Sequence, residues 1–175
     1  MQKIAKFYKV TLNQFTKDWM DTFPDSSRSE AEEIYESIKI PARATAGSAG
    51  YDFFTPVSFV LKPGESIKMP TGIRAEMAEG WVLQIFPRSS LGFKFRLQMN
   101  NTVGIIDSDY FYSDNEGHMF IKVINDTREG KVVELAAGTG FAQGLFVPFG
   151  NTTDDACNNS RHGGFGSPTT RYTRT

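Results

Sequence analysis

From Ile40 onward the chain is cut into short pieces. Val57–Leu61, Glu65–Met69, Ile73–Met77 and Trp81–Ile85 each cluster or alternate apolar residues, and Pro63-Gly64, Thr71-Gly72 and Glu79-Gly80 separate them. Runs this short between Gly-bearing turns read as strands, because a helix needs about ten residues at helical spacing to bury one face. Further strands are expected at Phe120–Ile124, Lys131–Leu135 and Gly144–Pro148, and no long helical pattern interrupts them. The body is therefore expected to be an all-β sandwich or jelly roll. Fifteen Phe, sixteen Gly and eight Pro suit a chain of many strands and turns.

The first forty residues follow another pattern. Lys3 to Val10 reads as a strand. Thr11 can then cap a helix in which Leu12, Phe15, Trp19 and Phe23 recur at helical spacing, and Pro24 breaks it. Ser29 with Glu32 resembles a capping box for a second short helix carrying Ala31, Ile34, Tyr35 and Ile38. Both helices are amphipathic and are expected to pack on the body. At the other end, Asn151 to Thr175 is polar and Gly-rich, the composition of a flexible tail. The expected organisation is one domain over residues 1–160, with a helical insertion at about 11–38, followed by an arm over residues 161–175.

Several function classes are disfavoured at once. A chain of 175 residues is long enough for one real core. Its net charge of −1 gives no bulk electrostatic reason for direct nucleic-acid binding. The single cysteine, Cys157, excludes an intrachain disulfide framework and suits a reducing cytoplasm; it reads as a spectator thiol in a polar loop. Met1 to Val10 lacks the apolar core of a signal peptide, and no stretch approaches transmembrane length. A cytoplasmic setting without membrane contact is expected.

Five short motifs stand out against the strand pattern. In Ala46-Gly47-Ser48-Ala49-Gly50-Tyr51-Asp52, small residues let the backbone pass close to a partner, and the run ends in a carboxylate. Asp52 can hold a metal-bound water, since Mg²⁺ keeps much of its hydration shell; a tight turn entering a strand explains the run equally. In Pro87-Arg88-Ser89-Ser90-Leu91-Gly92, an Arg and two hydroxyls at a strand end can contact phosphate oxygens, or simply form a surface turn. Gly104-Ile105-Ile106-Asp107-Ser108-Asp109-Tyr110, preceded by Asn100 and Asn101, ends an apolar run in a carboxylate with an aromatic three residues later. On strand geometry Asp107 and Tyr110 face opposite ways; a turn between them can aim both into one pocket. Gln143, within Gly138 to Leu145, is an amide among small and apolar residues and needs partners, either backbone or ligand. Arg161 to Ser167 surrounds Phe165 with small residues, so it is a stacking arm or a disordered tail.

In this order and at this spacing, the five motifs resemble those of the trimeric dUTPase family, over about Ile40 to Thr169. The Gly140-Phe141-Ala142-Gln143-Gly144 form and Thr152-Thr153-Asp154-Asp155 look most like bacterial or phage members from Firmicutes-type hosts. The resemblance implies a distorted jelly-roll β-barrel of the β-clip kind, a homotrimer with active sites shared among subunits, and Mg²⁺-dependent hydrolysis of dUTP to dUMP and pyrophosphate. It implies that Asp107 activates the attacking water, that Tyr110 packs under the deoxyribose, and that a hairpin around Asn101, Gly104 and Ile106 holds uracil. It assigns Asp52 to a magnesium-bound water, Arg88, Ser89, Ser90 and Gln143 to the triphosphate, and Arg161, Phe165, Gly166 and Ser167 to a closing arm.

The chain departs from the family pattern in four places. Tyr110 is followed by Phe111 to Gly117, a longer and more acidic hairpin, where most members continue Arg-Gly. Thr139 and Gly140 replace a usual charged pair. Pro168 follows Ser167 where a Thr is more usual, and the helical front exceeds that of minimal members. Two alternatives share the fold: a dCTP deaminase, against which Asp107 and Tyr110 argue, and a non-catalytic nucleotide-sensing trimer. The front helices leave room for a regulatory protein partner of unknown identity.

Overall fold

A computed structural model of the chain describes residues 2–157. It is a jelly roll of short strands with a helical front. Strand β1 (Ala5–Lys9) pairs antiparallel with β5 (Ile73–Met77), with Ala5 opposite Met77 and Lys9 opposite Ile73. The largest sheet runs β2 (Tyr51–Phe54), β11 (Gly140–Pro148), β6 (Trp81–Pro87), β8 (Gly104–Ile106). A second sheet runs β4 (Ser66–Pro70), β9 (Phe120–Asn125), β7 (Leu97–Met99), and β3 (Phe59–Leu61) pairs with β10 (Val133–Leu135). Alternation sets the faces: in β5 Ile73, Ala75 and Met77 are buried while Arg74 and Glu76 are not.

The front forms as its spacing requires. In α1 (Leu12–Thr22), the Thr11 side chain accepts from Gln14 N and replaces a missing intrahelical partner. Phe15 and Trp19 are buried, and Leu12 and Phe23 are half-buried. Removing two such rings from water stabilises the joint by roughly 1.5–3 kcal/mol each. The contact is close at Gly72, where φ is +71° and an added Cβ would lie 2.3 Å from Ile38 Cδ1 and 3.3 Å from Phe15. Only glycine serves there.

Four local expectations are corrected. The capping box of α2 (Arg28–Ser37) is Ser27 with Glu30, not Ser29 with Glu32. Both pairs satisfy the Ser-x-x-Glu rule, but the earlier start brings Arg28 into the helix, where it pairs with Glu32 at 2.8 Å. A third helix, α3 (Ser89–Phe95), occupies the stretch where a phosphate contact or a surface turn was expected, and it stops at Arg96, in the left-handed region at φ 57°. The segment around Asn101 and Gly104 is not a hairpin, because its flanking strands β7 and β8 belong to different sheets. Nor is Phe111 to Gly117 a hairpin: a 3-10 helix (Ser108–Tyr112) runs into a turn closed by Glu116 N to Ser113 O at 2.8 Å. No helix among the described residues is long and apolar enough to cross a membrane.

Candidate active site

Three of the five motifs meet at one end of β6. Asp52 on β2 lies opposite Gln143 on β11, and Gln143 lies opposite Phe86 on β6. Arg88 follows β6 directly, and its Nε pairs with Asp52 Oδ1 at 3.3 Å. The Gln143 amide donates to Pro87 O at 3.4 Å, so the backbone meets part of its demand. A register shift in β11 between Gly140 and Ala142 turns the strand beside this group. Space there is tight: a Cβ at Gly50 would sit 2.8 Å from Gln143 Oε1, and one at Gly140 would sit 3.0 Å from Arg88 Nη1. The small residues at 50 and 140 are thus what allows a cation, a carboxylate and an amide to share one strand end.

Ser89 and Ser90 are exposed at the start of α3. With Pro87, Arg88, Gly92 and Phe93, Ser89 lines a surface hollow of about 300 Å³. Phe93 was not anticipated from sequence; it is 93% exposed, an apolar ring standing in water beside the arginine.

The third motif lies at the other end of the same strand. Leu83 pairs with Ile106 and Ile85 with Gly104, so Asp107 falls beside Val82, near the start of β6. Arg88 lies beyond its last residue. At strand spacing the two ends are on the order of 15–20 Å apart. Gly104 is buried, with Ile85 Cβ 3.1 Å from where its own Cβ would be. Ile106 and Asp107 are half-buried, and Asn101 is exposed in the connection from β7. Thr102 there has φ 69°, a strained value for a β-branched residue.

Asp107 opens the 3-10 helix, and Tyr110 N donates to Asp107 O at 3.2 Å. This turn replaces the strand alternation that would have set the two residues on opposite faces. Tyr110 is buried; its hydroxyl donates to His118 O at 2.8 Å and accepts from Asn115 Nδ2 at 2.9 Å. Next to it the Arg74 guanidinium stacks 3.6 Å over the Phe111 ring and donates from Nη2 to Phe111 O at 2.6 Å.

His118 and Asp18 are the polar pair that motif reading missed. His118 is fully buried, and its Nδ1 lies 2.6 Å from Asp18 Oδ2 on α1. Burial alone would raise the Asp18 carboxyl, but hydrogen bonds from His118 and Gln14, helped by electrostatic attraction to His118 and Lys17, outweigh it and hold it below the usual carboxylate value. Among the described residues no three of His, Cys, Asp and Glu cluster as a metal site would require. Arg161, Phe165, Gly166 and Ser167 lie outside the described residues.

A jelly roll with a cation, an amide and two carboxylates set along one strand has groups suited to hydrolysing a phosphoric anhydride. A model of the dUTPase family matches residues 36–170, and the chain belongs to that family. The deoxyuridine 5′-triphosphate nucleotidohydrolase of Lactococcus lactis subsp. lactis is 43% identical over 133 residues, 74% of this chain and 87% of that protein. Its counterpart in Chromobacterium violaceum is 38% identical over 136 residues, 73% and 86% of the two chains. The crystal structure of dUTPase from Streptococcus mutans aligns with a TM-score of 0.61 at 33% identity, covering 83% of this chain and 97% of that one. The dUTPase from phage phi11 of S. aureus aligns at 0.61 and 19% identity over 90% and 97%, sharing the fold. The family match begins at residue 36, so α1 and nearly all of α2 lie outside it.

Proposed function

We infer that this chain hydrolyses dUTP to dUMP and pyrophosphate, and that the work is divided between the two ends of β6. The observation that carries this division is the cluster of Asp52, Arg88 and Gln143, polar groups from three motifs brought together by strand register. Arg88 offers a planar fork to two phosphate oxygens, while Ser89, Ser90 and Gln143 supply neutral hydrogen bonds along the triphosphate. Asp107 takes a proton from the water that attacks the α-phosphorus. The bond from that phosphorus to the bridging oxygen breaks, and pyrophosphate leaves with the bonding pair. A positioned base of this kind accelerates attack by roughly 10²–10⁴-fold.

Tyr110 forms the floor under the sugar, where a 2′-hydroxyl would meet the ring. Asn101 in the connection and Gly104 and Ile106 on β8 hold uracil through their backbone, and exclude a 5-methyl group by crowding. Cytosine is rejected by mismatched donors and acceptors, the stronger filter. The roles of Arg161, Phe165, Gly166 and Ser167 are to complete the phosphate contacts and cover the base. Ending the chain before Arg161 should cripple turnover while leaving assembly intact.

Mg²⁺ fits this donor set only through water: Asp52 is a single carboxylate already paired with Arg88, suited to a hydrated ion carried by the triphosphate. The ion would offset charge on the phosphate oxygens as pyrophosphate departs.

Each site is proposed to be shared among three copies. The distance along β6 supports this, since a base at one end cannot serve phosphates at the other within one chain. So do Phe93 and Ile105, apolar side chains 93% and 54% exposed on the single chain.

A panel of dUTP, dTTP, dCTP and UTP, assayed for pyrophosphate and ammonia together, tests the reading. Pyrophosphate from dUTP alone is expected. Ammonia from dCTP with dUTP left intact would make the chain a deaminase, and binding without either product would make it a sensor. Neither is favoured, since the relatives above are named as dUTP hydrolases.

A further inference from the structure

The turn after Tyr110 is tied to α1 at two points, although α1 lies outside the family match. At the first, Thr11 holds Glu116 with both its backbone N–H, at 2.8 Å, and its hydroxyl, at 2.7 Å. Glu116 sits at φ 58°, so the carboxylate is clasped where the backbone enters the left-handed region. At the second, Asp18 meets His118 a hundred residues away.

The His118 ring is engaged at both nitrogens. Gly72 N–H donates to Nε2 at 2.8 Å, so Nε2 presents its lone pair and Nδ1 carries the proton given to Asp18. The ring cannot turn without losing both bonds at zero solvent exposure. Phe15 and Phe120 flank it, with ring centroids 6.1 and 4.6 Å away. A ring fixed this way fixes its own peptide, and the His118 carbonyl is the group that receives the Tyr110 hydroxyl. Asn115 closes the triangle, donating to that hydroxyl and, at 3.3 Å, to the same carbonyl. Ser113 Oγ donates to Tyr110 O, and Asn115 Oδ1 lies 2.7 Å from it. Tyr110 is thereby gripped at its hydroxyl and at its backbone.

We propose that Asp18 and His118 are positioning residues for dUTP hydrolysis, holding the Tyr110 ring at the height that separates 2′-deoxyribose from ribose. The proposal rests on Tyr110 being the sugar floor. Excluding one hydroxyl is a matter of sub-ångström placement, and a tyrosine held only by packing can rock about its two side-chain torsions. A fully satisfied polar network removes that freedom, and in a low-dielectric setting its bonds reinforce one another. The carboxylate of Asp18 is the outermost member; it also accepts from Gln14 Nε2 at 2.8 Å, and its direct link to the Tyr110 network is His118.

The test compares kcat/KM for dUTP and UTP in the full-length protein, read as a ratio, alongside Tm. Asp18→Ala should lower the dUTP:UTP ratio by about tenfold, the scale of one buried hydrogen bond. Asp18→Asn keeps a carbonyl oxygen for the Nδ1 proton and should bring the ratio back to within about threefold of wild type. Tyr110→Phe keeps the ring but cuts its link to His118, and should match Asp18→Ala. A folded Asp18→Ala with a lower Tm and an unchanged ratio would overturn the proposal and leave the pair a structural joint. If Asp18→Ala does not fold, Tyr110→Phe decides the matter, and an unchanged ratio there overturns it. Tyr110→Ala separates the two layers. An unchanged ratio in that variant removes the sugar floor itself; a collapsed ratio there with no effect from Asp18→Ala removes the positioning role alone.

Discussion

The two ends of β6 carry the same strand's worth of chemistry and are built in opposite ways. At the Arg88 end, neighbouring strands deliver the groups: Asp52, Gln143 and Arg88 meet because β2, β11 and β6 are in register. At the Asp107 end, β8 is only three residues long, and the residues after it leave the sheet for a 3-10 helix. That end is steadied by Arg74 of β5 on Phe111 and by contact with the front, through Thr11 and with Asp18 of α1. Phosphates are charged and tolerant, and flexible polar side chains can follow them. On the assignment proposed above, the Asp107 end tells one sugar from another, which requires a rigid surface, and rigidity at the end of a short edge strand has to be imported.

The contrast can be broken at several levels. Asp107→Asn should cut kcat by at least about 100-fold while a non-hydrolysable dUTP analogue still binds, measured by pyrophosphate release and calorimetry. Unchanged turnover would take the base away from this end of the strand. Arg88→Lys keeps the charge but loses the two-pronged fork, and should lower kcat/KM by about 10–100-fold. Gly50→Ala should raise KM by about 3–10-fold, because its methyl would lie 2.8 Å from Gln143 Oε1 and displace that amide. Asp18→Asn should alter the acid limb of a Tm-against-pH curve. The Asp18 carboxyl is held below 3.8 in the fold, so its contribution is complete above about pH 4 and is lost as pH falls through the lowered value. The variant has no carboxyl to protonate there, and its Tm should fall less steeply below about pH 4. Ser27→Ala, at the cap of α2 and remote from both ends, should cost only about 1 kcal/mol in denaturant unfolding and leave the kinetics unchanged.

Much of this architecture could be read from residue order, and the failures have common physical causes. Ile73–Met77 was legible because five alternating residues between Gly-bearing turns admit one interpretation. Thr11 was legible as a cap because Phe15 and Trp19 confirm the helix behind it. The strand of Leu97–Met99 was not, since three residues cannot display a period of two. Helix α3 was hidden by Gly92 and by burying only Leu91. Ser27 and Ser29 were locally equivalent, and the contact that favours one lies outside a four-residue rule. At the candidate site, Asp52 stood out as a carboxylate closing a run of small residues, Arg88 as a cation with two hydroxyls at a strand end, and Gln143 as an amide among small and apolar neighbours. His118 did not, because a lone histidine gains meaning only from a partner a hundred residues earlier.

The clasp between Thr11 and Glu116 also bears on how the chain leaves the ribosome. Strand β1 has no partner until residues 73–77 exist, and the front has neither the Glu116 clasp on Thr11 nor the histidine that meets Asp18 until residues 116–118 have been made. At about 5–20 residues per second, α1 waits roughly 5–20 seconds for those partners, with Phe15 and Trp19 packed only on each other and on Phe23 and Tyr35. A segment made early is therefore among the last to settle, and its aromatic face is a surface that nascent-chain chaperones would meet.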